Sequence, residues 1–143
     1  MGIAEQLAAM NAAKSEANLK EGLAFLEENK KKHGVTTLGS GLQYEILIEG
    51  NGVKPTATQT VTCHYHGTLV NGTVFDSSVR RGMPASFPLN RVISGWTEAL
   101  QLMPVGSKWR LYLPPHLAYG AIQVGTIPAN STLIFEVELL SIS

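Results

Sequence analysis

The spacing of the apolar residues changes near residue 41, and that change constrains the fold more than any other feature. Residues 4–32 contain no proline, are rich in Ala, Glu, Lys, Leu and Asn, and close on ENKKKHG, which sets three lysines ahead of Gly34. Lysines favour the carbonyl end of a helix and glycine stops one, so a single long helix is predicted. At the usual rise per residue it would be about 40 Å long, too long to lie wholly on a small domain. Its apolar positions Leu7, Met10, Ala13, Ala17, Leu23 and Leu26 form a thin, interrupted stripe. Gly22 costs such a helix about 1 kcal/mol relative to alanine. Two arrangements fit: a solvated helix docking its last turns, or a stalk leading to a dimerisation segment. VTTLGSG follows as a linker. The expected organisation is therefore a helix over 1–34, a linker over 35–41 and a sheet-based domain over 42–143.

Beyond that point the period is two. GLQYEILIEG sets Leu42, Tyr44, Ile46 and Ile48 on one face, and TVTCHYHGTLVNGTVF alternates Val61, Cys63 and Tyr65 against Thr62, His64 and His66. The Asn71-Gly72 pair within it is a strong hairpin signal. SKWRLYL and STLIFEVELLSI alternate likewise, with Leu133, Phe135, Val137 and Leu139 in register. Such segments make an antiparallel sheet with one buried face. One helix interrupts them: in ISGWTEALQLMP, Gly95 is the expected N-cap with Glu98 three residues on, and Trp96, Ala99, Leu100 and Met103 share a face before Pro104. The fold class is thus α+β, a twisted antiparallel sheet wrapped around a short α-helix and preceded by a long N-terminal helix.

Composition narrows the function. Charged residues make up 15% of the 143, and 11 basic side chains balance 11 acidic ones, so bulk charge gives no reason to expect a nucleic-acid or membrane-surface partner. A lone cysteine, Cys63, excludes an intramolecular disulfide and a multi-cysteine zinc site. No apolar run is long enough to span a bilayer, and MGIAEQLAAM lacks the basic start and apolar centre of a signal peptide. The chain reads as a soluble mature protein of the cytoplasm or periplasm, although an MG start is also what removal of an upstream segment leaves behind.

Among candidate chemistries, His64 and His66 lie two apart on a strand and point to one side. Zinc takes three or four protein ligands, so the pair is read as a solvated strand face and no metal is expected. His33 and His116 sit beside turn signals and are read as surface residues. There is no Gly-x-Ser-x-Gly elbow, VGSKW lacks the spacing of a phosphate loop, and Cys63 alternates into the apolar face, where a thiol is inert. What remains is a set of aromatics at strand and loop edges: Tyr65, Phe75, Phe87, Trp96, Tyr119 and Phe135, with Val92, Ile93 and Ile127. Large apolar residues mostly fill cores, but buried phenol and indole groups need polar partners. Their convergence near Asp76, in GTVFDSS, points to an apolar pocket with a few placed polar groups.

VTCHYHGTLVNGTVFDSS, VISGWTEALQLMPVGSKWRLYLPPHLAYG and STLIFEVELLSI together resemble the FKBP-type peptidyl-prolyl cis-trans isomerases over residues 41–142, and KEGLAFLEENKKKHGVTTLGSGLQY resembles the long helix and linker of the bacterial Mip-like branch. The resemblance implies an isomerase acting without a cofactor on X-Pro bonds of proline-containing peptides and unfolded proteins. It implies a pocket of Tyr65, Phe75, Asp76, Phe87, Val92, Ile93, Trp96, Tyr119, Ile127 and Phe135, with Trp96 as its floor and Arg81 steadying Asp76. The Tyr119 hydroxyl and the Ile93 N–H would bond the peptide carbonyls, with Tyr65, Asp76, Trp96 and Tyr119 carrying the catalysis. Macrolides such as rapamycin or tacrolimus would occupy the same pocket. Ala85 stands where many eukaryotic members have a large aromatic, which leaves one wall open, and the loop AIQVGTIPANS is short. Members of the branch carry a further N-terminal dimerisation module that this sequence lacks, so monomer and homodimer are both open. The other reading is a peptide- or macrolide-binding, chaperone-like module with little turnover.

Overall fold

A computed structural model describes residues 2–143, and of residues 7–12 the backbone alone. In chain order the elements are α1 (Ile3–Asn29), β1 (Val35–Thr37), β2 (Gln43–Ile48), β3 (Thr60–Leu69), β4 (Val74–Ser77), α2 (Ser78–Arg81), β5 (Ala85–Pro88), α3 (Ser94–Leu100), β6 (Lys108–Leu113) and β7 (Leu133–Ile142). All strand pairs are antiparallel and follow the order β1-β2-β6-β7-β3-β4, while β5 pairs with the other end of β3. The α+β architecture expected from the change of period is the one found.

Alternation does the sorting in the central strands. Val61, Cys63 and Tyr65 on β3 and Leu133, Phe135, Val137 and Leu139 on β7 face inward. They meet Trp96, Ala99 and Leu100 of α3 and Met103 beyond it, so the short helix lies in the concave face of the sheet. The hairpin between β3 and β4 turns at Gly72, whose φ of 90° only glycine adopts cheaply, and the Asn71 Oδ1 accepts from the Thr73 N–H.

Several boundaries differ from the sequence reading. The helix ends at Asn29 rather than 32, because the Lys31 and Lys32 amides turn back to the carbonyls of Glu28 and Asn29, and the lysines follow the last helical turn. Val35–Thr37, taken as linker, pairs with Gln43–Glu45 as β1. On β2 the buried face fades after Tyr44, which stacks on Trp109, and a register shift between Ile46 and Ile48 turns both isoleucines to solvent. Ile93, not Gly95, caps α3, and Glu98 accepts a 2.5 Å bond from Ser40 instead of completing a capping box. Gly95 lies inside the helix, where a Cβ would fall 2.5 Å from Leu113 Cδ2, so it is small to let α3 approach β6.

The α1 helix docks from Ser15 onward. Asn130 Nδ2 donates to Ser15 Oγ at 2.7 Å, Asn18 donates to the Ala129 carbonyl, and near the helix end Gln43 Nε2 donates to the Leu26 carbonyl. The side chains of Leu7 and Met10, which begin the apolar stripe, lie outside the described residues. No helix among the described residues is long and apolar enough to cross a membrane.

Candidate functional site

An open cavity of about 300 Å³ is lined by Tyr65, Phe75, Asp76, Phe87, Arg91, Val92, Ile93, Trp96, Tyr119 and Phe135. Alternation on β3 turns Tyr65 inward, and the same logic on β7 delivers Phe135. Trp96 comes from the buried face of α3 and is only 4% exposed. It receives Tyr65, Phe87 and Phe135 edge-on, with ring centroids 5.3, 5.6 and 5.2 Å away. Edge-to-face contacts from three rings fix the plane of the indole before anything binds. Phe75 meets Phe135 edge-on in turn, at 5.4 Å and 89°.

Gly67 makes that last contact possible, and nothing in its sequence neighbourhood announced it. It occupies an inward position of β3, where a Cβ would lie 2.6 Å from Phe75 Cζ and 2.9 Å from Phe135 Cε1. A glycine in a strand interior weakens the strand, and it marks a place where something must approach closely. Here two aromatic rings of the cavity wall cross over it.

One charged group enters the cavity wall already paired. The Tyr65 hydroxyl donates to Asp76 Oδ2 at 2.6 Å, Arg81 Nη1 donates to Asp76 Oδ1, and Arg81 Nη2 donates to the Tyr65 hydroxyl at 2.9 Å. The Arg81 guanidinium also stands 5.7 Å from the Tyr65 ring centroid. Arg81 is placed by α2, a single turn absent from the sequence reading. Ser77 caps it by accepting from the Arg80 N–H, and Gly82 ends it at φ 74°. Desolvation pushes the Asp76 carboxyl up, but the bonds from Tyr65 and Arg81 and the arginine charge outweigh it and hold the group below the usual carboxylate range. Burial and the neighbouring carboxylate push the Tyr65 phenol the other way, above its ordinary value. The site therefore presents an ionised carboxylate and a neutral phenol.

Of the residues predicted for the pocket, nine line the cavity together, while Arg81 reaches Asp76 and Tyr65 from α2. Ile127 is not among the lining residues; it is buried in the adjoining core, in a narrow turn where it exchanges backbone bonds with Val124. Tyr119 is 37% exposed at the mouth. The Ile93 carbonyl accepts from the amides of Trp96 and Thr97, while its own N–H donates to no backbone carbonyl among the described residues. Ala85 pairs with Cys63 on β3 and is not part of the lining. Arg91 is, and the sequence reading passed over it because an arginine in a surface turn carries no periodic signal.

His64 and His66 sit on the opposite face of β3, their Nδ1 atoms 3.0 and 2.9 Å from the hydroxyls of Ser78 and Ser77. No three His, Cys, Asp or Glu side chains gather into a metal site among the described residues. Burial pushes the Cys63 thiol up to about 12, which leaves no thiolate for chemistry at neutral pH. What the cavity offers is a largely apolar aromatic surface, one fixed carboxylate, hydrogen-bond donors at the mouth and one arginine.

Residues 51–140 match the family model of the FKBP-type peptidyl-prolyl cis-trans isomerase, and residues 1–46 match that of the domain amino terminal to it. The chain belongs to the FKBP-type peptidyl-prolyl cis-trans isomerase family. It is 58% identical over 125 residues to the FKBP-type peptidyl-prolyl cis-trans isomerase FkpA of Aeromonas hydrophila, a match covering 87% of this chain and 47% of that protein. It is 54% identical over 141 residues to the FKBP-type 22 kDa peptidyl-prolyl cis-trans isomerase of Escherichia coli, covering 98% of this chain and 68% of that one. The crystal structure of FkpA from Escherichia coli superposes with a TM-score of 0.92 at 43% identity, over 95% of this chain and 64% of that one. The chain thus spans about half the length of the Aeromonas relative and two thirds of the two Escherichia coli proteins.

Proposed function

We propose that the chain catalyses cis–trans isomerisation of X-Pro peptide bonds in unfolded proteins and peptides, by binding the twisted amide in the Trp96 cavity. The observation that carries this reading is the preorganised indole, held edge-on by Tyr65, Phe87 and Phe135 in an otherwise apolar wall. Rotation about an amide faces a barrier of about 18–20 kcal/mol because resonance keeps it planar. No bond is made or broken. The planar amide separates charge between nitrogen and oxygen, whereas the twisted transition state loses that separation and is less well solvated by water. A surface without water then favours the twisted form, which is catalysis by differential binding.

Each factor of ten in rate requires about 1.4 kcal/mol. Apolar contact between the proline ring and Trp96, with the Ile93 N–H and the Tyr119 hydroxyl holding peptide carbonyls, supplies increments of that size. Tyr65 and Asp76 keep the wall in shape, and the reaction needs no proton from either. Macrolides such as rapamycin and tacrolimus are the expected competitors for the cavity. The test is a refolding reaction limited by proline isomerisation, in which the purified chain should accelerate the slow phase and Trp96→Ala should lose most of that effect. An unaccelerated slow phase with the native chain would overturn the reading.

A further inference from the structure

Resting on the isomerase reading, we infer that Arg91 makes the cavity selective for peptides with an acidic residue next to the proline. Three groups with fixed charge stand at the site, Asp76, Arg81 and Arg91. The first two are in direct contact and cancel. Arg91 lines the same cavity, is exposed, and forms no ion pair among the described residues. The other lining side chains are aromatic or aliphatic, so the net charge at the cavity is that of one free guanidinium.

The surrounding sequence strengthens the bias. Residues 49–98 carry Lys54, Arg80, Arg81 and Arg91 against Glu49, Asp76 and Glu98, and of those acids Asp76 is paired with Arg81 and Glu98 accepts from Ser40. The loop from 117 to 131, which carries Tyr119 at the mouth, holds no charged residue. A peptide carboxylate entering this space therefore meets one unpaired cation, the Asp76 carboxylate being already engaged by Arg81, in a cleft whose apolar walls focus the field. Arg91 precedes Val92 and Ile93 in the chain, and all three line the cavity, so the arginine stands on the same wall as the Ile93 N–H that is proposed to hold the peptide. A lysine at the same peptide position would be repelled. Specificity of this kind combines an attractive and a repulsive element.

The experiment uses two sets of short proline peptides, one varying the residue before proline and one the residue after it, each as Glu, Gln or Lys. Isomerisation is read by exchange spectroscopy, which needs no coupling protease, and binding by quenching of tryptophan fluorescence. In at least one set, kcat/KM for Glu over Lys should be about two- to fivefold, the range that exposed charge pairs provide. At about 1 M salt, where screening acts over about 3 Å, the ratio should fall towards one. Arg91→Gln should abolish the preference, Arg91→Glu should invert it, and Arg91→Lys should keep part of it, with unchanged thermal unfolding showing that the fold is intact. Equal rates for all three peptides in both sets, or a preference that survives Arg91→Gln, would overturn the inference while leaving the isomerase reading in place. If no peptide is isomerised, that reading fails, and the Glu-to-Lys ratio of dissociation constants still decides the role of Arg91.

Discussion

The Tyr65 hydroxyl donates a 2.6 Å hydrogen bond to Asp76, and Arg81 bonds both partners. The relationship crosses from β3 to β4, where Gly67, two residues beyond Tyr65, stands opposite Asp76. It explains how a carboxylate can sit in an aromatic wall: partners that satisfy its oxygens offset the cost of leaving water. An orienting role follows, and with it an expected size of effect. Asp76→Asn keeps an oxygen to accept from Tyr65 but removes the charge that holds Arg81, so kcat/KM should fall only about three- to tenfold, a loss of about 1 kcal/mol in positioning of the wall. A complete loss of rate, with folding and ligand binding unchanged, would instead mean that Asp76 transfers a proton.

The titration behaviour follows from the same trio. Asp76 is lowered in the fold, so its contribution to stability is present above the unfolded value near 4 and is lost as pH falls through the folded one. Tyr65 is raised, so its contribution is present below the unfolded value near 10 and is lost as pH climbs through the folded one. Both groups and Arg81 keep their charges between about pH 5 and 9. Isomerisation rates should be flat across that interval. A limb between about pH 6 and 7 would implicate a histidine, and His64 and His66 face away from the cavity on β3.

Gly67 should be intolerant of even one methyl group. Its Cβ would meet Phe75 and Phe135 at 2.6 and 2.9 Å, and both rings are already held in an edge-to-face pair. Gly67→Ala is therefore expected to cost about 1–3 kcal/mol of stability through overpacking, readable as a lower urea midpoint. It should also lower kcat/KM by displacing Phe75 from the wall. Unchanged stability and rate together would show that the rings move aside freely.

How much of this was legible depends on whether a signal is local. The period-two runs exposed β3, β6 and β7 because each has one buried face, and the same alternation put Tyr65 and Phe135 on it. The reason for a glycine at 67 and at 95 was not legible, since each answers to a partner far along the chain, Phe135 in one case and Leu113 in the other. Strand β1 was hidden for a similar reason: three residues carry no periodicity, and only pairing with β2 makes them a strand. On β2, Ile46 and Ile48 misled because β1 covers only Gln43–Glu45 and the register shifts beyond Ile46, which leaves the far end of the strand exposed. Arg91 lay one residue from Val92 and was still missed, because a charge becomes informative only when its neighbours' charges are known to be cancelled.

Gly22 gives a reversal of sign that separates helix propensity from packing. In an isolated helix, Gly→Ala gains about 1 kcal/mol, and the sequence alone marks Gly22 as a weak point. In the fold, Gly22 faces the segment leading into β7. A Cβ there would lie 2.2 Å from Thr132 Oγ1 and 3.0 Å from Thr132 Cβ, and Thr132 is 2% exposed. Gly22→Ala should thus destabilise by about 1–3 kcal/mol rather than stabilise, because the helix must be pushed off the domain. Thr132 Oγ1 is buried and has no hydrogen-bond partner among the described residues, so Thr132→Ala removes an unsatisfied hydroxyl at little cost. Combined, the two substitutions should recover part of the loss, with a coupling of about 1 kcal/mol or more in a double-mutant cycle read by thermal unfolding. Additive effects, or a stabilised Gly22→Ala, would mean that α1 does not press on Thr132 at this point and is held by its polar contacts on either side, at Ser15 and Asn18 and near Asn29.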